Sequence, residues 1–140
     1  MTQQIWAFLG GKQVPEEDAT VGVKTHALHY GTAVFEGIRG NWNERLGKVA
    51  IFRLEEHYER LLRGCKILRI NLPYSVADLC KITIDLLEKN GFAEDVYIRP
   101  LAFKGEQLVA NLNLNTVADE FMLVIQPFGD YIDNSRPLKC

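Results

Sequence analysis

The chain has 140 residues, 47% of them hydrophobic and 24% charged, a composition typical of one globular domain and not of a disordered segment. Sixteen Lys and Arg against eighteen Asp and Glu leave a formal net charge of −2, which argues against a nucleic acid or an anionic membrane as partner. No run approaches the ~20 apolar residues of a membrane span, and residues 1–6 lack the layout of a secretory signal. We therefore expect a cytoplasmic protein.

The first third of the chain is strand-like. Apolar residues 5–9 and the short segment 12–14 flank Gly10-Gly11, which predicts a hairpin. Small, β-branched and aromatic residues favour strands over 32–42 and 48–53, with a polar turn between them.

Two helices are predicted next. Apolar residues recur at spacings of three and four in the first: Leu54, Tyr58, Leu61, Leu62, Cys65 and Leu68. Pro73 ends this pattern, and Ser75 with Asp78 three residues later predicts a capping box for the second helix. Asn90-Gly91 is a termination signal for that helix.

Two further β-like runs, 95–103 and 120–128, are joined by a polar loop over 105–119. The order of strands, two helices and strands predicts an α+β two-layer sandwich. In it, two helices pack on one face of a largely antiparallel or mixed sheet.

Cysteine and histidine give little sign of a metal or disulfide framework. Cys65, Cys80 and Cys140 form no C-x-x-C pair, so we expect reduced thiols, the first two buried in helices. His26 and His29 could share a helical face, but no third ligand stands at a recognisable spacing. A hydrogen-bonding role at a turn before Gly31 is the favoured interpretation, with no metal site.

The segment around Gly37 is a candidate binding surface. Strand alternation places Phe35, Gly37 and Arg39 on one face and Glu36 and Ile38 on the other. A glycine beside a phenylalanine leaves a notch with an aromatic wall, which suits close approach of a ligand. A bulge at Gly37 is equally compatible with this pattern.

Tyr97 and Arg99 are a second candidate, because alternation places them on one strand face about 7 Å apart. A guanidinium matches a carboxylate in shape, so this face could hold an organic acid. Pro100 cannot donate to a sheet ladder and therefore suggests the edge or end of a strand. An ordinary surface ion pair for Arg99 remains the alternative.

Arg60 belongs to a set of basic residues on the first predicted helix, which usually means a solvated face. It would need to turn inward to bind a fixed anion such as a phosphate. No phosphate-binding glycine loop or nucleophile-elbow motif is present to identify the chemistry. The residues alone indicate an α+β domain that offers aromatic and arginine side chains to a small acidic ligand.

Three motifs resemble, in order and spacing, those of branched-chain amino acid aminotransferases, the fold-type IV enzymes dependent on pyridoxal 5'-phosphate. Residues 26–39 read HALHYGTAVFEGIR, residues 52–61 contain Phe-Arg, His57 and Arg60-Leu61, and residues 97–101 read YIRPL. The resemblance covers residues 5–131. The sister D-amino acid aminotransferases and aminodeoxychorismate lyases carry a different version of the first motif, so the form found here points to the branched-chain enzymes. The sister activities are the alternatives.

The resemblance implies a role for each matching residue. Arg60 would bind the cofactor phosphate, and substrate would meet Phe35, Gly37, Tyr97 and Arg99. Tyr30 would reach the pocket across a homodimer interface, and Tyr131 would form part of its wall. The loop 106–115 departs most from the family pattern and receives no site. The implied reaction moves an amino group between leucine, isoleucine or valine and 2-oxoglutarate.

The family is about twice as long as this chain, and its Schiff-base lysine lies in a second domain. The resemblance therefore implies that residues 1–140 are the small N-terminal domain and that the lysine lies beyond Cys140. We expect this chain alone to be inactive, to lose pyridoxal phosphate and to self-associate. A non-catalytic, dimerising fragment is the remaining alternative.

Overall fold

The computed structural model describes residues 4–129, and three helices and seven strands lie in that range. The strands are β1 (Trp6–Leu9), β2 (Lys12–Pro15), β3 (Ala33–Phe35), β4 (Ile38–Asn43), β5 (Lys48–Ile51), β6 (Val96–Lys104) and β7 (Asp119–Pro127). The helices are α1 (His26–Tyr30), α2 (Leu54–Ile67) and α3 (Val76–Asn90), and Glu16–Asp18 forms a 3-10 turn. Tyr131 and Cys140 fall outside the described residues.

All seven strands join one sheet in the order β2-β1-β7-β6-β4-β5, with β3 beside β6. Every strand pairing within residues 4–129 is antiparallel. The α+β prediction and the hairpin at Gly10-Gly11 are confirmed. Within the same range, no helix combines the length and the apolar character that a membrane crossing requires.

Helices α2 and α3 cover one face of the sheet, as predicted. The core joins apolar side chains of both layers: Ile38, Ile98, Leu123 and Ile125 from the sheet, and Tyr58, Leu61, Leu79 and Leu86 from the helices. A Cβ on Gly64 of α2 would lie only 2.7 Å from Val34 Cγ1 of the adjacent β3. The missing side chain therefore lets α2 lie close to this strand.

The predicted ends of α3 are also confirmed. Ser75 Oγ accepts from the Asp78 N–H at 3.2 Å, and the Ser75 N–H donates to Asp78 Oδ2 at 2.8 Å. Gly91 closes the helix in the left-handed conformation with φ 63°. The segment before Gly31 forms the single-turn helix α1, which the sequence indicated only as a turn.

The prediction that Pro100 marks a strand edge or end is wrong. Pro100 lies in the middle of β6, between β7 and the β3–β4 segment (residues 33–43). Its carbonyl accepts from the Glu36 N–H at 3.1 Å, but its ring nitrogen has no hydrogen to return. Pro100 therefore lies beside the short gap between β3 and β4, where its missing N–H costs no strand hydrogen bond. The sheet continues on both sides of this gap.

The two cysteines in the described range are unpaired, as expected. Cys65 is buried on α2, and that burial raises the pKa of its thiol to about 11. Cys80 on α3 is half-buried, and burial raises its pKa as well. Both thiols are therefore protonated at neutral pH, which fits a packing role.

Candidate functional site

The sheet face away from the helices carries a cluster of three predicted site residues. The Arg99 guanidinium carbon lies 4.1 Å from the centroid of the Phe35 ring and 5.1 Å from that of Tyr97. Arg99 Nε and Nη2 both donate to the Tyr97 hydroxyl, at 3.0 and 2.5 Å. Phe35 is 54% exposed, so the cluster presents an aromatic wall beside a fixed cation to an incoming molecule.

Gly37 completes this surface. The register pairs Phe35 with Leu101 and Ile38 with Ile98, so the two strands have equal lengths between these pairs and contain no bulge. A Cβ on Gly37 would lie 2.7 Å from the Tyr97 hydroxyl. The absent side chain at Gly37 therefore leaves space on this face, but the Tyr97 hydroxyl fills that space, and a ligand contact at Gly37 stays a prediction.

Phe128, just after β7, is a further aromatic residue of this face, and the sequence did not single it out for a site. Its ring centroid lies 5.3 Å from that of Tyr97, and the Arg39 guanidinium carbon lies 5.4 Å from its centroid. Arg39 also pairs with Asp95 at 2.7 Å, which lowers the pKa of that carboxyl. Gln126 of β7 pairs with Tyr97, so strand alternation extended two residues further could have indicated Phe128 as a neighbour of Tyr97.

Arg60 lies elsewhere, because it reaches the sheet from the helix side. Its Nε donates to Glu36 Oε1 at 2.6 Å, and its Nη2 donates to Glu36 Oε2 at 2.5 Å. Glu36 points to the face opposite Phe35, as alternation predicts. The structure therefore does not place Arg60 in the Phe35–Tyr97–Arg99 cluster. It places Arg60 across the strand from that cluster, with the Arg60 side chain 63% exposed.

Glu36 was not predicted as a functional residue, yet its carboxylate contacts both Arg60 and His57 of α2. Its side chain is only 6% exposed, and His57 Nδ1 lies 3.0 Å from Oε2. Because a carboxylate only accepts, Nδ1 of His57 carries a proton. The Arg60 hydrogen bonds are the main cause that holds the pKa of Glu36 below its ordinary value, and they outweigh the opposing effect of burial.

Beside Arg60 the surface forms a shallow cavity of about 270 Å³. Its lining is mostly cationic or polar: Phe52, Arg53, Glu56, His57, Arg60 and Arg63. Three arginines around one small cavity are a donor set that suits a phosphate. Glu36 uses two of the five guanidinium N–H groups of Arg60, which leaves three that can point to an anion.

Tyr30 joins a different part of the molecule. Its hydroxyl accepts from the Ala110 N–H at 3.1 Å, so it holds the loop over 106–115. Its ring lies 4.5 Å from that of His26, measured between centroids, and it is 41% exposed. These contacts leave Tyr30 on the surface beside the loop, apart from the Phe35 cluster.

The two histidines are hydrogen-bonded at the α1 turn, as predicted. His26 Nε2 donates to the Asn111 carbonyl at 2.9 Å, so Nδ1, 2.8 Å from Thr32 Oγ1, accepts from that hydroxyl. His29 Nε2 donates to the Val23 carbonyl at 2.9 Å. Residues 4–129 contain no group of three or more His, Cys, Asp or Glu side chains that could hold a metal ion.

Residues 33–139 match the family model for amino-transferase class IV. The chain belongs to this family. It is 43% identical over 136 residues to a probable branched-chain-amino-acid aminotransferase of Aquifex aeolicus (strain VF5). That alignment covers 96% of this chain and 43% of the relative, so the chain spans less than half the length of this protein.

Two solved structures share the fold of this class IV aminotransferase chain. The branched-chain aminotransferase of Thermoproteus uzoniensis with norvaline has a TM-score of 0.83 at 38% identity, over 92% of this chain and 42% of that chain. The branched-chain amino acid aminotransferase of Thermobaculum terrenum in its PLP-form (holo-form) has a TM-score of 0.79 at 33% identity, over 90% of this chain and 41% of that chain. The two-layer architecture is therefore that of a known part of this family.

Proposed function

We propose that this chain is the N-terminal domain of a cytoplasmic, homodimeric, pyridoxal-phosphate-dependent transaminase. The reaction moves an amino group between leucine, isoleucine or valine and 2-oxoglutarate. The observation that carries the proposal is the Phe35–Tyr97–Arg99 cluster in a chain of this family. An exposed aromatic wall beside an arginine is what a site needs to accept both apolar side chains and a dicarboxylate.

Arg99 accounts for the acidic part of the substrates. Its Nε and Nη2 are held by Tyr97, so its orientation is fixed and Nη1 can donate to a carboxylate. The Tyr97 hydroxyl accepts two N–H groups, so its own hydrogen can also donate. Phe35 then offers apolar surface to the branched side chain.

Arg60 would hold the phosphate of the cofactor with the N–H groups that Glu36 does not use. The surrounding cavity, with Arg53 and Arg63 in its lining, fits a phosphate in size and in donor chemistry. When bound, pyridoxal phosphate supplies the electron sink for amino-group transfer. The residues described here bind and orient the phosphate and the substrate carboxylate.

Other parts of the site would come from outside this set of residues. The relatives are more than twice as long as the aligned region, so the Schiff-base lysine would lie in a second domain, beyond Cys140. Tyr30, exposed beside the loop 106–115, would complete the pocket of a second subunit, and Tyr131 would form part of the pocket wall. Alone, residues 1–140 would hold no pyridoxal phosphate and transfer no amino group.

Amino-donor profiling tests the proposal. The protein that the cell makes from this sequence should transfer the amino group of L-leucine, L-isoleucine and L-valine to 2-oxoglutarate, with D-alanine far slower. Faster use of D-alanine would favour a D-amino acid aminotransferase, and lyase activity on aminodeoxychorismate would favour the other sister activity. Turnover of leucine by purified residues 1–140 would contradict the inactivity of the isolated domain.

Arg99→Lys and Arg39→Lys are a matched pair for the substrate assignment. Arg99→Lys should raise KM for 2-oxoglutarate, because an ammonium cannot keep both hydrogen bonds to the Tyr97 hydroxyl and at the same time direct an N–H to the carboxylate. Arg39 lies on the same face but is held by Asp95 at 2.7 Å, so its substitution should leave that KM nearly unchanged. Equal effects of both substitutions would contradict a specific role for Arg99.

A further inference from the structure

We propose that Glu36 is a positioning residue that aims the Arg60 guanidinium at the cofactor phosphate. The inference rests on the proposed function and assigns a role to a residue outside the predicted site. Three observations carry it: the unequal burial of the two partners, the rigid backbone behind Glu36, and the near-neutral charge of the adjacent cavity.

The pair is buried at one end and exposed at the other. The Glu36 side chain is 6% exposed, and that of Arg60 is 63% exposed. A buried carboxylate needs donors, and both oxygens of Glu36 accept from Arg60. Arg60 could satisfy its N–H groups with water, so the contact chiefly fixes the direction in which its remaining N–H groups point.

The backbones of both partners are held in place by neighbouring structure. The Glu36 N–H donates to the Pro100 carbonyl of the central strand β6, so the carboxylate has a fixed origin. Arg60 follows Tyr58 and precedes Leu61, both fully buried on α2, so its Cα position is fixed too. The Nδ1–H of His57 supplies a third donor to the same carboxylate and keeps it aligned.

The charges around the cavity nearly cancel, so the direction of the arginine N–H groups matters more for anion binding than the net charge does. Arg53 Nε lies 2.7 Å from Glu56 Oε1, and Arg63 Nη1 lies 3.9 Å from Glu59 Oε2. With Glu36 beside Arg60, each of these three arginines has a carboxylate within 4 Å. Net charge therefore attracts an anion weakly here, and binding depends on well-directed N–H groups.

A purely electrostatic role for Glu36 predicts the opposite change in phosphate affinity. If Glu36 acted only through its charge, its removal would make the cavity more positive and would tighten phosphate binding. If Glu36 positions Arg60, its removal frees the guanidinium to rotate and weakens phosphate binding. Glu36→Gln should fall between the wild type and Glu36→Ala, because an amide oxygen still accepts one N–H.

The experiment measures the dissociation constants of pyridoxal phosphate and of pyridoxal for the apo form of the protein that the cell makes from this sequence. Glu36→Ala should weaken pyridoxal phosphate by roughly ten-fold, as removal of an orienting partner does at metal sites. Pyridoxal lacks the phosphate, so its affinity should change little. Asp85→Asn removes an exposed ion pair of α3 and should change neither constant.

Arg60→Gln distinguishes a failure of the role given to Glu36 from a failure of the phosphate site itself. If Arg60→Gln weakens pyridoxal phosphate but Glu36→Ala binds it as tightly as the wild type or more tightly, the inference fails and the proposed function stands. If Arg60→Gln has no effect, or the wild type binds no pyridoxal phosphate, the phosphate site fails and takes the inference with it. Equal weakening of both ligands by Glu36→Ala would mean a general structural role and would also overturn it. If Glu36→Ala does not fold, Glu36→Gln decides the case by the same comparison.

Discussion

The Asn90 side chain bonds both backbone groups of Trp6. The Trp6 N–H donates to Asn90 Oδ1 at 2.8 Å, and Asn90 Nδ2 donates to the Trp6 carbonyl at 3.0 Å. Asn90 is completely buried at the end of α3. Its amide pairs with the backbone of Trp6 in the way that a neighbouring strand would. The contact fastens the N-terminal hairpin to the helical layer.

Asn90→Ala should lower the free energy of unfolding by about 2–4 kcal/mol, because it removes two hydrogen bonds and leaves the partly buried Trp6 groups unpaired. Urea unfolding followed by circular dichroism measures this change. Asn41→Ala, at an exposed position of β4, is the control and should change stability by less than about 0.5 kcal/mol. Similar losses for both would contradict the role given to Asn90.

Lys104 should contribute strongly to the free energy of unfolding, because its side chain is 1% exposed and its Nζ lies 2.5 Å from Asp119 Oδ1. It also donates to the Leu114 carbonyl at 2.7 Å, which holds the loop after β6. Lys104→Met should cost about 3–5 kcal/mol, since it leaves the Asp119 carboxylate without its cation. In a denaturant double-mutant cycle, Lys104→Met with Asp119→Asn should lose less than the sum of the two single losses.

Glu36 should make stability depend on pH in the acid range. Its pKa is lowered in the fold from an ordinary value of 4.5, chiefly by hydrogen bonds from Arg60. The folded state therefore binds this proton less readily than the unfolded state, so the contribution is complete above 4.5 and is lost as pH falls through the folded pKa. Unfolding free energies measured from neutral pH into acid should fall less steeply for Glu36→Gln. Identical slopes would contradict the assignment, since Asp78 and Asp95 are shared by both proteins.

Gly37→Ala should disturb the site without unfolding the domain. Its Cβ would meet the Tyr97 hydroxyl at 2.7 Å, and that hydroxyl is the far end of a side chain that can turn away. The turn would break the hydrogen bonds from Arg99, so we expect a higher KM for 2-oxoglutarate with a stability change below about 1 kcal/mol. Steady-state kinetics measures the change in KM, and thermal unfolding measures the change in stability. An unchanged KM would mean that the Tyr97–Arg99 pair does not orient the substrate.

Much of the fold could be predicted because its elements carry strong local signals. The apolar stripe of α2, the Ser75–Asp78 capping box and Gly91 each act within a few residues. The error at Pro100 has a different origin. The expectation that proline lies at a strand edge or end considers only its missing N–H donor. Here the neighbouring segment is interrupted between β3 and β4 beside Pro100, so no ladder hydrogen bond is lost there.

The candidate site was more predictable on one face of the sheet than on the other. Alternation placed Tyr97 beside Arg99, and the pairing of β3 with β6 adds Phe35 to them. The roles of Glu36 and Lys104 depend on partners that the chain brings from 24 and 15 residues away, Arg60 and Asp119. The available signal for Glu36 was a carboxylate between Val34 and Ile38 on one face of the predicted strand, but this pattern does not say which arginine pairs with the carboxylate.

Gly64 stands one turn after Arg60 on α2, and Val34 stands two residues before Glu36 on the strand beneath. The absence of a side chain at Gly64 thus sets the distance between α2 and β3. That distance in turn determines where the Arg60 guanidinium meets the Glu36 carboxylate. A methyl group at position 64 would move α2 away from β3 and would shift the Arg60 guanidinium away from Glu36. Gly64→Ala should therefore weaken the proposed phosphate binding by Arg60, although Gly64 itself does not line the proposed phosphate cavity.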